Sequence, residues 1–435
     1  MKLSDVFGVG SSAIKSYVQR QEVDDAFKAA LGEGKHIVVY GASKQGKTAL
    51  VSRYLPYKDN VVVRLDPNSN LEDIYSSILR QSGIKIASGE TSAKTSEIGS
   101  SLGVKAKALI PFFGSGEASL GANLKSSGTD TENWKEVPFN LSVAQDVVEL
   151  LNDVSFDKKV ILENFHYLIE EEQRKLAFAL RSFEEMGVVF VILGVWREKD
   201  RLRNYCGDLT DRVVDVCVEP WSDPDFYRVA KVGAEKLNIF IAPSVVAECV
   251  KSSFGSIGVF QELIKESCAS AGVLRAQVTQ QVVDDIDFAR KALGEKSVQY
   301  GVTHRKSLEL IASGNVSHSK EKAIVPLHLP YYLVMALLGY GERLIHGLSR
   351  SDVTAMIKSK HHRPDDVRPS DMTNLLHKIS ALQYRKGINP PILDYDIGKR
   401  QIYAVDSTFF FFLKNCDLVE VSEEMVSPLE TELCD

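Results

Sequence analysis

At 435 residues, 44 % apolar and 25 % charged, the chain has the size of roughly two to four domains and the composition of a globular protein. A net charge of −6 excludes a chain whose overall charge draws it to nucleic acid, but leaves room for a local basic patch. Six cysteines with no C-x-x-C pair speak against a disulfide framework and for free thiols in a reducing cytoplasm. The start "MKLSDVFGVG" lacks the apolar run of a secretory signal. The longest apolar stretch, "LPYYLVMALLGYG", is shorter than the about 20 residues that span a membrane.

Residues 1–35 form a leader. In "SYVQRQEVDDAFKAAL", Val23, Phe27, Ala30 and Leu31 share a helical face. An α/β core is expected over 36–220. It opens with a buried strand, Ile37 to Tyr40, then "GASKQGKT", then a helix from Ala49. This stretch matches G-x-x-x-x-G-K-[ST] at every fixed position, in the strand–loop–helix setting the motif requires. Gly41 and Gly46 permit backbone angles and close approaches that a Cβ would block. The N–H groups of Ser43, Lys44, Gln45 and Ala49 surround the place of a phosphate at a helix N-terminus. Lys47 would reach the β- and γ-phosphates of ATP, and the Thr48 hydroxyl would ligate Mg²⁺.

"NVVVRLD" reads as a second strand and "LEDIYSSILRQSG" as an amphipathic helix. An insertion follows over 88–134. Apolar residues take even positions, from Ile98 through Leu102 to Ile110 and again from Ala118 through Leu120 to Leu124, on either side of "PFFGSG". Period-two alternation around a Gly-containing turn predicts an amphipathic β-hairpin. The first arm approaches the length of a membrane strand, but packing on its own domain or on a neighbouring copy is the commoner use of such a hairpin.

The core resumes with the helix "DVVELLNDV" and the strand "VILEN". Glu163 ends that strand, where an acid would serve Mg²⁺ or position water. Its neighbour is Asn164, which cannot take a proton. Glu163 would then have to serve both the metal and the water, and slow hydrolysis with intact binding is expected. His166 is a further candidate or a structural residue. A helix over Glu171 to Met186 leads to the strand "VVFVILGVW", followed by Arg197, and "DRVVDVCVEP" is one more strand, preceded by Arg212. Strands alternating with helices imply a parallel sheet.

Residues 221–312 are helical and form a lid, with "TQQVVDDIDFARKALGE" as its last helix; 313–325 is a polar linker. Over 326–420 the order is helix, helix, helix, then two strands around "IGKR", the pattern of a winged helix-turn-helix. "RPSDMTNLLHKISALQ" is its recognition helix. Lys378 on that helix and Lys399 and Arg400 at the wing tip suit phosphate contacts with DNA. A protein-binding face reads equally well. Residues 421–435 form an acidic tail.

The leader "YVQR", the loop "GASKQGKT", the strand "VILEN" and the stretch "GDLTDR", with a lid and a winged helix, resemble the AAA+/STAND branch of P-loop ATPases, including origin-recognition-type initiators and prokaryotic sensor ATPases. The resemblance implies an ATP- and Mg²⁺-binding switch that forms homo-oligomers and works through a separate effector or partner protein. It implies that Tyr17 and Arg20 touch the adenine, that Arg197 senses the γ-phosphate, and that Arg212 is donated to a neighbour's nucleotide. A surface role for Arg197 and an ion pair for Arg212 are the plainer alternatives. The chain departs from the pattern at Asn164, in the hairpin insertion, and in lacking the usual lid arginine near "GSIGVFQ".

Overall fold

The computed structural model describes residues 1–10, 14–87, 105–111, 134–314 and 325–429. After α1 (Gln21–Gly32), the core is built from β1 (His36–Gly41), α2 (Lys47–Tyr54), β2 (Val61–Arg64) and α3 (Leu71–Gln81). A small sheet of β3 (Lys85–Ala87), β4 (Lys105–Pro111) and β5 (Trp134–Asn140) interrupts it. The core continues with α4 (Ala144–Asp153), β6 (Val160–Glu163), α5 (Glu170–Glu185), β7 (Phe190–Val195), α6 (Arg201–Tyr205) and β8 (Val213–Cys217).

The main sheet has the order β2-β6-β7-β1-β8 and is parallel throughout. Its strands read as unbroken apolar runs because both faces are covered by helices. Val38 and Tyr40 of β1 enter one apolar cluster, while Ile37 and Val39 enter another on the opposite face. α3 follows from local signals. Asn70 accepts the Asp73 N–H as its N-cap, and Ile74, Tyr75, Ile78 and Leu79 make the buried stripe. The outer edge of β2 is occupied by a side chain. Gln81 accepts the Val62 N–H at 3.1 Å and donates to the Val62 carbonyl at 2.9 Å.

Part of the insertion lies among the described residues. β4 pairs antiparallel with β3 on one side and β5 on the other. β3 covers residues 107–109 of β4 and β5 covers 105–111, while the second arm expected from the sequence is residues 118–124. Those residues, with Leu102 and Leu120, lie outside the described residues. The apolar face of β4 turns inward, with Ala108 and Ile110 in the core of the α/β unit.

The lid comprises α7 (Asp223–Leu237), β9 (Ile239–Ile241), α8 (Pro243–Ser253), α9 (Ile257–Ser270), β10 (Gln281–Val283) and α10 (Ile286–Ala312). The helix expected from Thr279 begins only at Ile286, capped by Asp285. The β-branched residues before it instead pair with β9.

The C-terminal unit runs through α11 (Leu329–Tyr340), β11 (Leu348–Ser349), α12 (Arg350–Lys360), α13 (Pro369–His377), α14 (Ile379–Arg385), β12 (Leu393–Asp396), β13 (Gln401–Ala404), α15 (Ser407–Asn415) and α16 (Leu418–Glu424). β11-β13-β12 is an antiparallel sheet beside the helices, the element order expected of a winged helix. The single recognition helix read from the sequence is broken at Lys378 into α13 and α14. The aromatic run is a buried helix, α15. The acidic tail begins inside the core, because Val421 and Met425 pack in this unit's apolar cluster. Among the described residues, no helix is long and apolar enough to cross a membrane.

Candidate functional site

β1 delivers the loop at its C-terminal end. Gly41 has φ +147° and an added Cβ would meet Val218 at 2.8 Å, so no larger residue fits there. Gly46 has φ +87° and starts α2. Between them Lys44, a non-glycine, is held at φ +58°. Lys47 Nζ donates to the carbonyls of Gly41 at 2.9 Å and Ala42 at 2.7 Å. Burial lowers its ammonium to about 8.

Thr48 and Glu163 come together across the end of the sheet. The Thr48 hydroxyl donates to Glu163 Oε1 at 3.4 Å. The Tyr57 hydroxyl donates to the same oxygen at 2.6 Å, and Arg64 Nε lies 3.0 Å from Oε2. Burial and the carboxylate together push the Tyr57 phenol well above its ordinary range. Asn164 follows in the left-handed region at φ +61°. His166 is 7 % exposed, and its ring nitrogens have no hydrogen-bond partner among the described residues. Burial lowers it to about 3 and keeps it neutral.

A cavity of about 470 Å³ opens beside the loop. Lys44, Gln45, Gly46, Lys47, Thr48 and Ala49 line one end, and the leader and lid line the other. Gly41 and Ser43 are not among its lining residues. Tyr17 and Arg20 both reach it. The Tyr17 hydroxyl is committed to Asp24 at 2.6 Å. The Arg20 guanidinium carbon lies over the Trp221 ring, 3.9 Å from its centre, and Arg20 donates to the Val218 carbonyl at 2.8 Å. Trp221 in turn donates to the Gln45 carbonyl at 3.3 Å. A stacked pair therefore joins leader, lid and loop.

The sequence reading missed the lid's share of this cavity: Trp221, Val229, Ile257, Gly258 and Gln261. Gly258 was detectable in principle, as a glycine where a helix begins. A Cβ there would meet Lys44 Cβ at 2.4 Å.

The two arginines stand elsewhere. Arg197 Nη1 donates to the Ile345 carbonyl at 2.5 Å, and its guanidinium lies 4.9 Å from the Phe410 ring, both in the C-terminal unit. Arg212 bonds Glu184, and Glu185 at 3.1 Å. Its carbonyl accepts the His36 N–H, at the end of β1 remote from Gly41.

The C-terminal unit closes over the strand ends. Arg201 pairs with Asp394 at 3.1 Å, and the Tyr384 hydroxyl donates to the His166 carbonyl. A second cavity of about 290 Å³ lies in this seam, lined by His166, Glu198 and Arg201 on one side and Lys378, Ile397 and Gly398 on the other. Lys399 and Arg400 are exposed at the β12–β13 turn.

No family model matches the chain, and no curated protein sequence matches it. Solved structures do. A Walker-type ATPase of Pyrococcus abyssi superposes with a TM-score of 0.50 at 14 % identity, over 92 % of this chain and 96 % of that one. The Aeropyrum pernix Orc1 protein in complex with DNA matches at a TM-score of 0.39 and 12 % identity, over 96 % of this chain and 95 % of that one. Cdc6p from Pyrobaculum aerophilum matches at 0.40 and 12 %, over 97 % of this chain and all of that one. With the parallel sheet and the G-x-x-x-x-G-K-T loop, the likeness to the Walker-type ATPase shows the fold alone: the chain is built on a P-loop α/β core.

Proposed function

We propose that the chain is an ATP-binding switch that hydrolyses its nucleotide slowly and passes its state on through the C-terminal winged helix. The observation that carries this reading is the meeting of Thr48 and Glu163 beside a loop-lined cavity of nucleotide size. Their oxygens are the hard donors that Mg²⁺ prefers, and the site fits a nucleoside triphosphate with that ion. Bound there, Mg²⁺ would offset phosphate charge. Lys47 would exchange its bonds to loop carbonyls for bonds to phosphate oxygens. Arg20 and Trp221 would wall the base end.

Slow turnover follows from the residues beside Glu163. Asn164 cannot accept a proton, and His166 lines the interdomain cavity instead of the loop cavity. Glu163 is already shared by Thr48, Tyr57 and Arg64. Arg212 stands at the far end of β1 from the loop, held by Glu184 and Glu185, the plainer of its two readings. The proposal keeps a homo-oligomer as the active form, which the test below reads as a change in mass. The partner that reads the state is DNA or a separate effector protein. Lys399, Arg400 and Lys378 are all exposed, Lys378 at the mouth of the seam cavity.

The test measures ATP binding, turnover and mass by light scattering, for the native chain and Lys47→Ala. The expected result is ATP binding with little turnover, and a larger assembly that needs both ATP and Lys47. Brisk turnover lost in Lys47→Ala overturns the slow-switch reading. Absence of ATP binding overturns the site itself.

A further inference from the structure

One side of the loop faces the cavity, and the C-terminal unit grips the other. Ser43 is bonded at every polar atom. Its N–H donates to the Val405 carbonyl at 2.9 Å, and its hydroxyl donates to Asp406 Oδ2 at 2.7 Å. That hydroxyl also accepts the Ser407 N–H at 3.1 Å, and the Ser43 carbonyl accepts the Ser407 hydroxyl at 2.5 Å. The clasp is dry: Ser43 is 5 % exposed, Asp406 4 % and Ser407 0 %. Ala42, the preceding loop residue, packs inside the apolar cluster of the C-terminal unit.

Capping α15 does not require a carboxylate. The cap uses Asp406 Oδ1, which accepts the N–H groups of Thr408 at 2.8 Å and Phe409 at 3.0 Å. Asparagine or serine caps a helix as well. Burying a carboxylate is costly unless its oxygens are bonded, and the second oxygen is directed at the loop. His304 of α10 stands 3.8 Å from Oδ1. Burial lowers its imidazole to about 4, so it adds no fixed charge at neutral pH. The loop itself needs support. Lys44 sits at φ +58°, a conformation that persists in a non-glycine residue only where its surroundings hold it. Gly258 presses on Lys44 from the lid, and the clasp fixes the residue before it.

We infer that Asp406 is a positioning residue of the nucleotide site, acting through Ser43 to hold the first half of the phosphate-binding loop in its binding form. The inference rests on reading the cavity as an ATP site. Its consequence is that the C-terminal unit completes that site instead of merely responding to it. By linkage, ATP binding must strengthen docking of that unit by the same factor by which docking strengthens ATP binding.

A double-mutant cycle on the full chain tests this, with Mg-ATP affinity measured by calorimetry. Asp406→Asn keeps a good helix cap and removes the acceptor charge. Asp406→Asn and Ser43→Ala should each weaken ATP binding about tenfold through lost preorganisation, and the double variant should be no weaker than either single one. Asp394→Asn, which removes the charge of the seam's Arg201–Asp394 ion pair, should stay within about twofold of native. If Asp406→Asn does not fold, the Ser43→Ala and Ser407→Ala pair carries the same cycle. Unchanged or tighter binding in the singles, or additive losses in the double variant, overturns the inference while leaving the site reading intact. A native chain that binds no ATP overturns both.

Discussion

Arg197 Nη2 lies 3.2 Å from Glu219 Oε2, while Glu219 Oε1 accepts the Ala42 N–H at 2.6 Å. The pair ties the end of β7 to the first residue after β1, and Arg197 continues to the Ile345 carbonyl. Both side chains are largely buried. Arg197→Met keeps the bulk but leaves Glu219 and a carbonyl short of a donor. A loss of about 1–3 kcal/mol is expected, read as a lower urea midpoint. An unchanged midpoint means that the contact is incidental.

Glu163 is expected to make ATP binding Mg²⁺-dependent. The native chain should bind ATP about tenfold or more tightly with Mg²⁺ than with EDTA. Glu163→Gln should bring the two affinities together, because a neutral amide is a poor ligand for a hard cation. A difference of native size in Glu163→Gln would move the metal site elsewhere.

The seam should be sensitive to pH through Glu198. Burial, opposed by Arg201 and reinforced by Asp394, pushes this carboxyl up to about 7. The unfolded value is about 4.3. Between those values the folded chain holds more protons than the unfolded one, so this group lowers stability as pH rises through the window, with no further loss above it. Glu198→Gln should match native stability near pH 4 and exceed it by about 1–3 kcal/mol at pH 8. Denaturant titrations at the two values check this. Equal gains at both would show that charge is not the cause.

Gly258→Ala probes the contact between lid and loop. The new methyl meets Lys44 Cβ at 2.4 Å and the Lys44 carbonyl at 2.8 Å. Backbone cannot yield cheaply, so overpacking should cost about 1–3 kcal/mol and weaken ATP binding together with stability. Native affinity in this variant would show that the lid stands off the loop when nucleotide binds.

The local signals carried most of the core. The strand–loop–helix at Gly41–Thr48 and the acid ending "VILE" are contiguous patterns, and chain order alone brought Thr48 to Glu163. The errors lie where tertiary contact overrides pattern. The alternation around Ile110 is real, and among the described residues the strand it lies on pairs with β3 and with β5, which stands some distance along the chain. Lys378 broke a helix that its apolar spacing continued. The grip of Asp406 on Ser43 was invisible, since a helix cap and a loop serine 363 residues apart share no sequence signature. Trp221 was missed because a lone aromatic after a strand says nothing of the arginine that stacks on it.

The amide of Gln81 against Val62 bears on how copies of this chain can meet. An uncovered outer strand is a template on which another chain can continue the sheet. Here one glutamine side chain takes the place of that next strand's backbone at Val62, in the middle of β2. Assembly is thereby directed to side-chain surfaces, where charge and shape select the partner. Exchanging Gln81 for an apolar residue would reopen the margin to indiscriminate stacking.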